Sequence, residues 1–548
     1  MLNMEAENAG RERPNVARNA GMVSLAVMAS RVLGLVRDQV FAIFFGAGFY
    51  YDAFLTAFRI PNLLRDLFAE GALSAAFVTT FTQVLATKGE KEAILLSNRV
   101  ATLLIVLIAV ISIIGWWYAP AIVQVLAPGF YDVPGKAEIT IQLTRIMIPF
   151  LLLVALAAQA MGILNARGRF GIPALASAFF NIGSIVGGLL LGFVLGPAIG
   201  LSAIAGMAYG TVIGGFLQFA VQWPSLVRTG FSYRPMISIS DPGVRQIFRL
   251  MGPAIIGTAA VQINVFVNTN FASSIIDPAT GAVANGPVSW LSYAFRFMQF
   301  PIGVFGVAIA TASLPPLSRS SAQADYNVFR QVLAHSLGLV FLLCVPSAVG
   351  LAVLGRPIVA LIFEHGRFTA FDTAQTGDAL AAYSIGLAGY AAVKVLSPAF
   401  YALGDARTPM LISLGSIALN YVMNSLLVGP LGHVGLAFST STVALANFIL
   451  LALFMRRRIG RLDGSRLGMT LLRICAASAA MAAAAWLGSE FCASLPLAGI
   501  TLRLVRVSVS MFLAAVVFYA ACRMFHVEEL EEAIDAVAGR FLRVLRRK

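Results

Sequence analysis

Apolar residues run along this chain in blocks of about 20, the length a helix needs to cross a bilayer core. Short polar stretches separate the blocks and carry most of the charge. The pattern predicts about 14 membrane-spanning helices. Their approximate bounds are 20–47, 53–85, 95–119, 138–165, 171–195, 198–223 and 250–275, then 287–316, 331–354, 374–403, 409–428, 433–455, 469–488 and 500–524. Proline or glycine interrupts many of them, as in helices that line a cavity and move.

Composition supports this reading. The 548 residues are 59% hydrophobic and 12% charged, against roughly 25% charged in soluble domains. The apolar blocks leave no room for a separate soluble domain. The first 19 or so residues are polar and lack the apolar core of a signal peptide, so they read as a cytoplasmic tail. A net charge of +14 would point to nucleic acid in a soluble chain. Here the basic residues punctuate apolar runs, which points to membrane topology and attraction to anionic phospholipids, with no nucleic acid partner. The four cysteines, Cys344, Cys475, Cys492 and Cys522, have neither zinc spacing nor a disulfide framework.

The connecting segments orient the chain. With the N-terminus inside, the inner connections and tails hold roughly 27 Lys and Arg against 5 outside. The outer five are Lys136, Arg356, Arg367, Arg503 and Arg506. This bias puts both termini in the cytoplasm. A repeat is also present. ARGRFGIPALAS at 166–177 matches ALGDARTPMLIS at 402–413 at an offset of 236, and Ala57-Phe58-Arg59 matches Ala294-Phe295-Arg296 at 237. The shared offset predicts a duplicated unit of six helices with both copies in one orientation. The fold class is therefore an all-α polytopic membrane protein: two pseudo-symmetric six-helix lobes plus two extra C-terminal helices. The segments are a tail (1–19), an N-lobe (20–226), a cytoplasmic linker (227–249), a C-lobe (250–458), helices 13 and 14 (459–525), and an amphipathic cytoplasmic tail (526–548).

Candidate chemistry lies inside the apolar blocks. Arg31 and Arg37 fall in the first, Arg59 and Arg65 in the second. Each arginine at the bilayer centre costs about 2.5–3.5 kcal/mol, so the four cost on the order of 10 kcal/mol or more unless they face a wet, protein-lined cavity. Arginine's fork of donors suits phosphate and carboxylate, so the cargo expected is an anion. The repeat makes Arg296 the counterpart of Arg59 and adds it to the substrate-binding set. Arg31 and Asp38, seven residues apart on one helical face, are expected to neutralise each other in part, leaving Arg37 less committed. Pro61 predicts a kink just after Arg59. Arg65 has Asp66 and Glu70 within reach.

Supporting positions are Asp52, Asn62, Glu70, Gln299 and Lys394. Lys394 lies near the cytoplasmic end of its span, where snorkelling and cargo contact both remain open. Arg145 reads as structural. The segment FEHGRFTAFD at 363–372 lies outside the membrane and is a candidate gate of the outer mouth. The four histidines are scattered, no phosphate loop of the GxxxxGK[ST] type occurs, and no cofactor or metal is called for. The pattern is that of a transporter, not an enzyme.

SRVLGLVRD at 30–38 and DAFLTAFRIPNLLRDLFAEGALS at 52–74 resemble the start of the MurJ/MviN family of bacterial lipid II flippases. The likeness continues through GPAIIG, SWLSYAFRFMQFPIGVFGVAIAT, FTAFD and VKVLSPAFYALGDARTP and covers nearly the whole chain. It implies the MOP exporter fold, with two six-helix lobes opening alternately to each side and two further helices forming a lipid groove. It implies lipid II as cargo, the bacterial inner membrane as location, and cell-wall synthesis proteins as possible partners. Arginines matching Arg31, Arg37, Arg65 and Arg296, and an acid matching Asp52, are implicated in the family's function. Arg59 stands where relatives commonly carry lysine. Beside Arg296, where relatives often carry acids, this chain has Phe295 and Gln299. The coupling ion and driving force remain open. The rival readings are an exporter of another diphosphate-linked oligosaccharide lipid, a multidrug exporter of the same superfamily, and a membrane glycosyltransferase. The last would need acids or histidine in a large outer loop.

Overall fold

In the computed structural model, residues 2–66, 73–460 and 464–531 are described. These residues are helical almost throughout; the one β feature among them is an isolated bridge between Ile276 and Val283. The chain divides into two compact units, Met1–Ser274 and Ile275–Lys548.

The first unit contains α1 (Leu2–Phe45), α2 (Phe49–Arg65), α3 (Leu73–Lys88), α4 (Glu90–Trp117), α5 (Ala119–Leu126) and α6 (Lys136–Met147). It continues with α7 (Phe150–Ala166), α8 (Gly171–Leu189), α9 (Ala203–Ala220), α10 (Trp223–Val227) and α11 (Pro242–Ser273). Helix α1 runs without a break from the polar N-terminal stretch into its apolar block. Of the expected second span, α2 and α3 are described, and 67–72 lie outside the described residues. Helix α11, expected to open the second lobe, packs on α3, α4 and α5 and groups with the first unit. Phe77, Phe81, Leu96, Ile108, Ile163 and Met251 belong to one apolar cluster here. Helices α8 and α9 meet along a glycine seam. A Cβ added at Gly206 or Gly210 would collide with the backbone of Gly192 or Gly188 respectively, the close approach that small residues permit between membrane helices.

The second unit contains α12 (Pro287–Pro301), α13 (Val307–Ala322), α14 (Tyr326–Phe363), α15 (Ala370–Ile385) and α16 (Leu387–Ala402). It ends with α17 (Arg407–Ile459), α18 (Gly464–Ala493) and α19 (Gly499–Met524). A π-helical turn over Ile302–Gly306 joins α12 to α13. Helix α17 breaks at Gly432, whose φ of 55° and ψ of −134° suit glycine alone. The break resolves the expected eleventh and twelfth spans. Helices α18 and α19 pair with each other and pack on α14.

Among the described residues, nine helical runs are long and apolar enough to cross a membrane, or ten if the pair α15 and α16, bent by 43°, forms one span. The protein is a multi-pass membrane protein. The difference from 14 has concrete sources: α17 counts once despite its break, α2 (17 residues) and α3 (16 residues) are each too short to count singly, and neither α1 nor α11 is among the counted runs.

Candidate functional site

Helix α1 carries the first two arginines, and α8 supports it there. Asn181 Nδ2 donates to the Ser30 carbonyl at 3.2 Å, beside Arg31. The Arg37 guanidinium sits over the Phe180 ring, 5.6 Å from its centroid, and donates to Asp38 Oδ1 at 3.2 Å. Arg31 is exposed and makes no hydrogen bond or ion pair with the described residues. The expected pairing of Arg31 with Asp38 is therefore corrected: Asp38 pairs with Arg37. Seven residues span about 10 Å of helix axis, so a shared face does not bring the two groups together.

Helix α2 is buried on most sides through its first two turns. Asp52, in the first turn, accepts from Lys136 Nζ at 2.9 Å, and both side chains are 0% exposed. Lys136 also lies 4.2 Å from the centroid of the Phe130 ring. The lysine expected in an outer loop is thus wholly buried. The turn ends at Gly135, with φ of 79°, and Lys136 is already the first residue of α6. Asp52 is engaged in this pair rather than held open for cargo.

Arg59 is half-buried in the middle of α2, and the helix continues through Pro61 to Arg65. Asn62 is half-buried one residue beyond the proline. Arg65 donates to Asp66 Oδ1 from Nη2 at 3.0 Å and from Nε at 3.2 Å, as expected, and Gln262 Nε2 of α11 donates to Asp66 Oδ2 at 2.9 Å. Glu70 lies outside the described residues.

In the second unit, α12 buries Trp290, Leu291, Tyr293, Ala294 and Met298. Arg296 and Gln299 are exposed on the opposite side. Trp290 Nε1 donates to Asp372 Oδ1 at 2.9 Å. Asp372 closes a capping box at the start of α15: its Oδ2 accepts from the Thr369 backbone N–H at 2.9 Å, and the Asp372 N–H donates to Thr369 Oγ1 at 3.3 Å. Lys394 is exposed on α16 and bonds to none of the described residues.

The 363–372 segment is tied down. Glu364 accepts from Arg503 Nη2 at 2.6 Å and from Thr373 Oγ1 at 2.6 Å. Arg503, assigned to an outer connection, thereby fastens α19 to the end of α14. Arg145 donates to the Trp116 carbonyl at 3.2 Å and sits over that indole at 4.7 Å, a structural position. At the other end of the second unit, Thr470 Oγ1 donates to Glu529 Oε1 at 3.2 Å, and Arg473 donates to the His526 carbonyl at 3.0 Å. The tail's first residues thus fold onto α18; its remainder, 532–548, lies outside the described residues.

The arginines themselves were visible in the sequence; Lys136 and Trp290 as polar partners were not. The available signal was the repeat, because the offset of 236 carries Lys136 onto Asp372.

The family model for lipid II flippase MurJ matches residues 41–506, beginning just after Arg31 and Arg37. A lipid II flippase MurJ of Burkholderia cenocepacia is 35% identical over 448 residues, covering 81% of this chain and 84% of its own length. A probable lipid II flippase MurJ of Vibrio cholerae is 36% identical over 437 residues, covering 78% and 81%. Among solved structures, a lipid II flippase MurJ in an inward closed conformation superposes with a TM-score of 0.74 at 25% identity, over 91% of this chain and 98% of that one. An inward-facing multidrug resistance MATE transporter of the MOP superfamily superposes at 0.65 with 16% identity, a likeness of fold alone.

Proposed function

This chain belongs to the lipid II flippase MurJ family, and from that premise we propose that it moves lipid II, the undecaprenyl-diphosphate-linked peptidoglycan precursor, from the inner to the outer leaflet of the bacterial cytoplasmic membrane. The observation that carries the reading is the family match over residues 41–506. It is a transporter rather than an enzyme, and lipid II is its substrate. The intramembrane arginines supply the matching chemistry: a diphosphate is the kind of anion that guanidinium forks bind in a protein-lined cavity.

In this proposal the two lobes alternate in access. Both termini lie in the cytoplasm, as the distribution of Lys and Arg supports. Arg31, Arg37, Arg59, Arg65 and Arg296 hold the head group. Arg31 and Arg296 are both exposed, in an apolar chain that has every reason to bury cations. Helices α18 and α19, paired as a hairpin, form the groove for the lipid tail. Cargo biases the inward and outward states only through its different affinity for each.

The arginine set disfavours a drug–cation antiporter, whose cavity would want acids. Cells depleted of this protein test the reading with an enzyme that cleaves lipid II from outside. Loss of cleavage while total lipid II accumulates supports flipping. Unchanged cleavage, in cells lacking any second flippase, rejects lipid II as the essential cargo. In the same cells, Arg31→Ala and Arg296→Ala are each expected to abolish rescue at normal membrane levels; full rescue by both would remove the arginines from the mechanism.

A further inference from the structure

Two of the helices that bear the proposed cargo arginines, α2 and α12, share one further feature. Asp52 is the fourth residue of α2, and Trp290 is the fourth residue of α12. Each bonds to a residue in the first turn of a later helix of its own unit: Asp52 to Lys136 of α6, and Trp290 to Asp372 of α15. Lys136 and Asp372 are 236 residues apart, the same offset that relates the repeated segments. The offset of 237 that relates Arg59 to Arg296 aligns Asp52 with Ser289, one residue before Trp290. The two bonds therefore occupy one structural position in the two units, while their chemistry differs.

We propose that Lys136 is a positioning residue for flipping. Its buried bond to Asp52 fixes the start of α2 on α6, and so sets where Arg59 and Arg65 stand further along that helix. The Trp290–Asp372 bond does the same for α12 and Arg296. Three observations support a fixed joint over a cargo-binding or gating role for Lys136. The ammonium and the carboxylate are both fully buried. The ammonium also faces the ring of Phe130, which favours the cation in a site closed to solvent. The position is a costly one for lysine, because the first turn of a helix carries the positive end of the dipole. A charge held against that field needs a fixed counter-ion, and Asp52 provides it.

This inference rests on the flippase reading, so its test separates the two. The purified full-length protein is reconstituted in liposomes with increasing mole fractions of lipid II, and inner-leaflet lipid II that becomes accessible to an outside-added enzyme is followed. If the wild type does not flip, the functional reading fails and the joint is not at issue. If it flips, Lys136→Met is expected to raise the half-saturating lipid II fraction about tenfold or more while the maximal rate per folded protein changes far less. A loss of stability alone would lower the maximal rate and leave half-saturation unmoved. Lys136→Arg, which keeps the charge, should stay near the wild type. The exchange Asp52→Lys/Lys136→Asp should recover most of the loss, since it rebuilds the pair and places an acid at the start of α6, where the dipole favours it.

Unchanged half-saturation in Lys136→Met would overturn the proposal. So would an exchange variant that folds and inserts normally yet does not recover, because Asp52 would then act as an acid in its own right. Should Lys136→Met fail to accumulate, the neutral pair Asp52→Asn/Lys136→Met becomes the deciding variant. It is expected to accumulate well above the single variant, having no orphaned buried charge. Equal accumulation of the two would count against the joint.

Discussion

The start of α2 and the start of α12 solve one packing problem in two ways. Both helices bear proposed cargo arginines, and both are tied at their fourth residue to the first turn of another helix. In the first unit the residue at that later helix start is a lysine, disfavoured by the dipole and balanced by a buried carboxylate. In the second it is an aspartate, favoured by the dipole, inside a capping box, and needing only the neutral indole N–H of Trp290. The same geometry is therefore robust in one unit and dependent on an exact charge balance in the other. A buried ion pair contributes little over an apolar pair while intact, but is strongly destabilising when halved. Duplicated architecture need not mean duplicated vulnerability.

The largest expected effect sharpens this contrast. Lys136→Met should cost about 3–5 kcal/mol by taking the Lys136 ammonium from the buried Asp52 carboxylate, read as a fall in thermal midpoint of the purified protein. Trp290→Phe should cost less, about 1.5–3 kcal/mol, the range for one hydrogen bond to a charged group, because Asp372 keeps its bonds to Thr369. Equal losses would break the comparison. The units also differ in how their helices approach. At the glycine seam of the first unit, Gly210→Ala places a Cβ against the Gly188 backbone and should cost about 1–3 kcal/mol by overpacking. In the second, Ser441 Oγ of α17 donates to the Ala382 and Tyr383 carbonyls at 2.7 and 3.0 Å. Ser441→Ala should cost only about 0.6 kcal/mol, the average for interhelical hydrogen bonds in membrane proteins. The same thermal measurement checks both.

Much of the fold was legible because apolar length and Pro/Gly punctuation report directly on membrane helices. The repeat was legible too: Gly171 and Arg407, which open α8 and α17, lie 236 residues apart. Helix count was harder to read. Gly432 breaks a helix without interrupting its apolar run. The arginines stood out because charge inside an apolar block is rare. Their partners did not, because pairing depends on rotamers and on helix neighbours distant in sequence. Arg37 takes the acid that periodicity assigned to Arg31. Lys136, 84 residues from Asp52, looked like an ordinary loop charge. Only the three-dimensional packing of α6 on α2 turns it into a buried counter-ion.

The most direct test of the central claim uses the purified chain alone in liposomes carrying lipid II in both leaflets. An enzyme added outside cleaves whatever it reaches. Wild-type protein is expected to expose the inner-leaflet pool as well as the outer one, and Arg31→Ala/Arg296→Ala, inserted to the same level, to leave the inner pool protected. Equal cleavage with wild-type protein, with the double variant and with empty liposomes would contradict it.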